Sequence, residues 1–184
     1  MNEERLLVNR CLKGERKAQY ELYRRYSGKM YGVCLRYGKN VQEAQDILQE
    51  GFILIFNKLH TFRFEGSLEG WIRRLIISAA LEWLRKHKNN YLNNELKEDS
   101  IDCVAPESAI DEIEIDELNK KIRSLPPGFR MVFNMYAIEG YSHKEIAEAL
   151  NISVSASKSQ YSRAKQQLLA KMGEKYKQKD GKEQ

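Results

Sequence analysis

The chain has 184 residues and a formal net charge of +5, with 42% apolar and 31% charged residues. That length admits one or two small domains, and the apolar share is enough for small cores only. Three prolines and eleven glycines, set among abundant Leu, Ala, Glu, Lys, Gln and Arg, favour helices over sheet. No apolar run approaches the roughly 20 residues of a membrane span. The start, "MNEERLLVNR", has acids where a signal peptide needs a basic region and a long apolar stretch. A cytoplasmic protein without membrane insertion is therefore expected. Cys11, Cys34 and Cys103 are far apart, as are His60, His87 and His143, and no Cys-x-x-Cys pair or zinc-ligand spacing occurs. Those six read as ordinary core or surface residues, with no metal and no cofactor.

The net charge conceals an asymmetry. Residues 90–119 hold ten acids and one base, and outside them 30 bases face 16 acids, a net of +14. Two basic ends around an acidic middle suggest a polyanion bound at two places.

In chain order, residues 5–12 form a short helix ended by Lys13–Gly14. Two helices follow at 17–26 and 30–37, with Leu22, Tyr23 and Tyr26, then Met30, Val33, Cys34 and Tyr37, at helical spacing. Residues 41–59 are longer, and "ILQEGFILIFNKL" is apolar nearly all round, which predicts a helix at the centre of its domain. The loop "HTFRFEGSLEG" leads into a long helix at 68–86, whose apolar side is Trp71, Ile72, Leu75, Ile76, Ala79 and Trp83. Residues 88–107 lack a clean period and read as a flexible acidic linker. Helicity resumes after Ser108, an expected N-cap, with Ile115, Leu118, Ile122 and Leu125 inward. Pro126–Pro127 breaks that helix and starts another at 129–138.

The stretch "EGYSHKEIAEALNISVSASKSQYSRAKQQL" then joins two short helical patterns. Gly140 ends a helix, Ser142 and Glu145 form a capping box, Asn151 suits a left-handed turn, and Ser153 caps the next helix. The inward positions of that last helix are Val154, Ser157, Tyr161, Ala164 and Leu168. The opposite face carries Ser155, Ser159, Ser162 and Gln166, flanked by Ala156, Lys158 and Arg163. Small polar side chains with bases beside them suit a helix in a DNA major groove, where hydroxyls reach base edges and cations neutralise phosphate. The residues alone leave two readings open: a DNA-binding helix-turn-helix, or a helical hairpin packed on another protein.

The segments "DILQEGFILIFNKL", "FEGSLEGWIRRLI" and "AALEWLRK" resemble the core-binding and promoter-melting domain of bacterial sigma factors. The segment from "LPPGFRMVFNMY" through "KSQYSRAKQQL" resembles the second conserved domain of the same proteins, and the pairing resembles the extracytoplasmic-function (ECF) type. The resemblance implies an all-α fold of two small helical domains: residues 5–87, a linker at 88–107, a helix-turn-helix domain at 108–174 and a basic tail at 175–184. It implies that Asp46, Gln49 and Glu50 face the clamp of the RNA polymerase core, one polar stripe at i, i+3, i+4 spacing. It implies downstream-promoter contacts by Phe62, Arg63, Phe64, Trp71, Arg74, Ser78, Arg85 and Lys86, the loop capturing a base extruded from the melted strand. Ser78 stands where relatives usually have Asn, and it discriminates bases less sharply. Upstream-promoter contacts are implied for Ser153, Ser155, Ala156, Lys158, Ser159 and Arg163. Ala156 and Ser157 replace the commoner Thr-Val pair, and Ser157 forfeits about 1 kcal/mol of apolar burial relative to Val.

The expected function is that of an alternative sigma factor that binds core polymerase and promoter DNA, duplex and melted, with an anti-sigma factor as a further partner. It performs no bond chemistry. The rival is an autonomous helix-turn-helix regulator whose first half senses a ligand or dimerises. A helical enzyme lacks any nucleophile motif, phosphate loop or His–carboxylate set.

Overall fold

The computed structural model describes residues 3–87 and 110–180, the side chains of 110–116 and 173–180 excepted. Among the described residues every regular element is helical. The chain divides into two compact units, Met1–Cys103 and Val104–Gln184. The expected linker at 88–107 and the expected cap Ser108 lie outside the described residues.

The first unit contains α1 (Glu3–Leu12), α2 (Arg16–Tyr37), α3 (Val41–Lys58) and α4 (Leu68–Lys86). The two helices expected at 17–26 and 30–37 are one continuous helix, α2. Ser27 and Gly28 sit in its middle, where glycine costs about 1 kcal/mol. Tyr26 and Met30, both buried and four residues apart, hold that face against the core and outweigh the cost. The start of α3 is fixed by Asn40, whose side chain accepts the Glu43 N–H at 2.8 Å, while Glu43 accepts the Lys39 N–H at 2.8 Å. A 3-10 turn, Leu59–Thr61, closes α3. Ser67 caps α4 by accepting the Gly70 N–H at 3.0 Å. Helix α3 holds the central position expected of it, packed on both α2 and α4, but it is not enclosed all round: Ile53 is 55% exposed while Ala44, Ile47, Leu48, Phe52 and Ile55 are buried. Helices α2 and α4 cover α3, and its remaining face is open.

The second unit contains α5 (Ile110–Arg123), α6 (Pro127–Phe133), α7 (His143–Leu150) and α8 (Val154–Asp180). The helix expected at 129–138 is α6 followed by a π-helical turn, Asn134–Ile138, in which the Glu139 N–H reaches the Asn134 carbonyl at 3.0 Å. Its core joins Ile122 and Leu125 to Ala164 and Leu168, with Phe129 and Phe133 packed against them. Leu118 and Val154, both expected inward, are exposed. Val154 is the first residue of α8, and the buried face begins one turn later at Ser157. The α8 backbone runs helical to Asp180, into the stretch expected as a tail.

Candidate docking and nucleic-acid interfaces

Three surfaces carry the residues singled out in the sequence. On α3, Asp46 and Glu50 are half-buried and Gln49 is exposed, with Asp46 accepting a bond from Gln42 Nε2 at 3.2 Å. Helical spacing adds Ile53 to this stripe, four residues past Gln49 and seven past Asp46. Beside the stripe lies an open groove of about 670 Å³ between α2 and α3, lined by Tyr23, Tyr31, Gln49, Phe52, Ile53 and Phe56 among others. The surface is thus an apolar trough with an acidic rim. Sequence reasoning missed Ile53, because periodicity tells how apolar a helix is and not which face a neighbour covers.

The second surface is the 62–67 loop and the outer face of α4. Phe62 is only 9% exposed, with its ring centroid 5.4 Å from Trp71 and 4.8 Å from Phe64. This corrects the expectation of Phe62 as a ring offered to a base: it is the backing of the loop, held inside by Trp71. Trp71 and Phe64 are half-buried, and Arg63 is exposed. Phe64 has φ 59°, a left-handed backbone unusual for so bulky a residue. Arg74, Ser78, Arg85 and Lys86 are all exposed. Arg74, Ser78 and Arg85 follow Trp71 along one face at helical spacing. Glu82 lies on that same face and pairs with Arg85 at 3.1 Å, placing an acid inside the basic stripe. A further carboxylate, Glu69, bridges Lys29 at 2.8 Å and Arg73 at 3.8 Å near the start of α4.

The third surface is α8, presented by α7. The capping box is complete: the Glu145 N–H donates to Ser142 Oγ at 3.2 Å, and the Ser142 N–H to Glu145 Oε2 at 2.8 Å. Asn151 takes φ 53°, ψ 51° at the turn. Ser153 Oγ accepts the Ala156 N–H at 3.0 Å, so its acceptor side serves the cap. Ser155, Lys158, Ser159 and Arg163 are exposed and Ala156 is half-buried, while Ser157, Ala164 and Leu168 face inward. Ser157 is not a simple loss of burial. Its hydroxyl hydrogen-bonds His143 Nδ1 at 2.9 Å, and the His143 ring stacks on Tyr136 at 4.2 Å and meets Tyr161 edge-on at 5.9 Å. His143, read from sequence as ordinary, ties α7 and the π-helical turn to the inward side of α8. The available signal was a polar residue at an inward position of each of two adjoining helices.

The family descriptions "Sigma-70 region 2" and "Sigma-70, region 4" match residues 22–90 and 115–168. The ECF RNA polymerase sigma factor SigW of Bacillus subtilis is 30% identical over 172 residues, spanning 88% of this chain and 92% of that protein. This chain belongs to the ECF sigma factors. It is an alternative sigma factor, and directs transcription initiation. SigM of Bacillus subtilis is 28% identical over 151 residues, covering 82% of this chain and 92% of its own. The fold of this sigma factor is similar to that of RpoE from Bartonella quintana, solved with the anti-sigma factor NepR, at TM-score 0.54 and 17% identity over 81% of this chain and 92% of that one. It is also similar to CnrH, solved with the cytosolic domain of CnrY, at TM-score 0.51 and 20% identity over 94% and 98% of the two chains. Among the described residues of this sigma factor, no helix is long and apolar enough to cross a membrane, and no group of three His, Cys, Asp or Glu is placed to hold a metal.

Proposed function

We propose that this sigma factor docks on core RNA polymerase through α3 and reads a two-part promoter with α4 and α8. Residues 5–87 form the docking and melting domain, 88–107 the linker, 108–174 the upstream-reading domain and 175–184 a basic tail. Asp46, Gln49 and Glu50 give an acidic rim for a basic helix of the polymerase clamp, and the α2–α3 groove gives it apolar area; both features are typical of a partner surface. Arg63, Phe64, Trp71, Arg74, Ser78, Arg85 and Lys86 take the downstream element, with Phe62 supporting from behind. Ser153, Ser155, Ala156, Lys158, Ser159 and Arg163 take the upstream element. The protein works in the cytoplasm and carries no bond chemistry of its own. An anti-sigma factor, the class of partner with which RpoE was solved, is a further partner that keeps the protein silent.

One observation carries this reading: α8 keeps Lys158, Ser159 and Arg163 in solvent while Ser157, Ala164 and Leu168 are buried beneath them. Run-off transcription with core polymerase on genomic fragments tests it. Asp46→Lys is expected to weaken holoenzyme assembly without changing the DNA affinity of the second unit. Lys158→Ala with Arg163→Ala is expected to weaken upstream binding and to reduce the salt slope by about two, one for each phosphate no longer neutralised. Tight binding of the isolated chain to two-fold half-sites, without polymerase, would favour an autonomous regulator instead.

A further inference from the structure

Arg5 lies on α1, outside both matched segments, at 22–90 and 115–168. We propose that it is a positioning residue of the base-capturing loop, holding Phe64 in the conformation that receives an extruded base; this rests on the loop reading above. The Arg5 guanidinium carbon sits 5.0 Å from the centroid of the Phe64 ring, within cation–π range. The same ring meets Phe62 at 4.8 Å, and Phe62 meets Trp71 at 5.4 Å. A ladder of Arg5, Phe64, Phe62 and Trp71 therefore runs from α1 across the loop to α4.

Phe64 needs such a clamp. Its φ of 59° is a conformation that a side chain of this size avoids unless its surroundings enforce it. The alternative for the loop is to relax to negative φ and carry the ring away from Phe62. Helix α1 can supply the enforcement because it is itself anchored: Leu7, Val8 and Cys11 are buried, and Tyr26 Oη donates to Glu4 Oε1 at 3.2 Å beside Arg5. A half-buried aromatic ring fixed before the strand arrives is a stacking platform whose ordering cost has already been met. Removing Arg5 should therefore cost affinity for the flipped base and leave the phosphate contacts intact. A phosphate-binding arginine would behave in the opposite way.

The test uses holoenzyme assembled with the full chain and a genomic fragment that supports run-off transcription. Single abasic sites are walked along its non-template strand, and the position at which wild-type binding suffers most marks the captured base. Arg5→Ala is expected to reduce binding to the intact strand roughly 2- to 5-fold, the size of one cation–π interaction at an exposed arginine. On the strand abasic at that position the same variant should change binding by less than about 2-fold, with the salt slope unaltered. Arg5→Lys, which keeps the cation, should recover part of the loss. Equal losses on intact and abasic strands, a reduced salt slope, or no loss at all would overturn the role of Arg5. Phe64→Leu is the control for the underlying reading. If it is silent on the intact strand, the loop itself does not capture a base; if it weakens binding while Arg5→Ala does not, only the clamp fails. Assembly of each variant with core polymerase confirms that it is folded.

Discussion

In the first unit, helices of 22, 18 and 19 residues enclose Leu22, Met30, Tyr37, Ile47, Ile55, Ile72 and Ile76, each with almost no exposure. Among the described residues of the second unit a handful of apolar side chains lie inside, and with them the buried Arg130, Asn134 and Ser157. Its helices are placed by directed bonds: the Ser142–Glu145 box, the His143–Ser157 bridge, and Arg130 Nη1 donating to the Arg123 carbonyl at 3.0 Å where α5 ends. A large apolar core tolerates an open groove on one of its helices, since the remaining faces supply enough burial. A small domain lacks that surplus, and hydrogen bonds must fix the angle at which its reading helix stands. The first unit should thus break through changes of volume, and the second through changes of polarity.

The largest effect is expected where α3 and α4 interlock. A Cβ at Gly51 would collide with Ile76 Cδ1 and stand 3.6 Å from the Ile76 Cα, and Ile76 is wholly buried. Gly51→Leu should destabilise the chain by about 3 kcal/mol, the upper range for overpacking. Urea titration measures it, and a loss under about 1 kcal/mol would show that volume does not govern this unit.

How far the sequence foretold these features follows the same division. Helix α4 begins and ends where its apolar spacing predicts, and the capping box and Asn151 turn are local devices visible in a few residues. What failed was non-local. Ile53 and Phe62 are apolar residues whose exposure depends on whether another helix or a tryptophan arrives to cover them, which spacing cannot tell. The break expected between residues 26 and 30 dissolved because buried neighbours on α2 outweigh the low propensity of Gly28. Ser157 looked like a penalty since its partner, His143, is fourteen residues away on a different helix.

That bridge sharpens the comparison at a smaller scale. Removing one member leaves a buried polar atom unpaired, so Ser157→Val or His143→Phe alone should cost about 1 to 2 kcal/mol. Replacing both removes the bond and both of its polar groups, and the double variant should regain about 1 kcal/mol of the summed losses. Strict additivity in a thermal or urea double-mutant cycle would mean that the two side chains do not act as a pair. Upstream-element affinity should follow the same cycle, because the bridge holds the inward side of the helix that carries Lys158 and Arg163 outward.

The smallest effect concerns two thiols that the first unit buries, Cys11 and Cys34. Burial pushes the Cys11 thiol up to about 11 and the Cys34 thiol up to about 12, and burial together with Glu4 also raises Tyr26. The folded chain thus keeps protons that the unfolded chain releases above about pH 9, the ordinary thiol value. Stability should be undiminished by these groups below that pH and should fall as pH rises toward 11 and 12. In a Cys103→Ser background, the native thiols should resist a thiolate-selective reagent near about pH 8 and react only as the first unit opens. Cys34→Ala should flatten the alkaline decline without abolishing it, since Cys11 and Tyr26 act with the same sign. An alkaline decline as steep in that variant as in its parent would place the cause elsewhere, and the claim that the first unit rests on burial would lose this support.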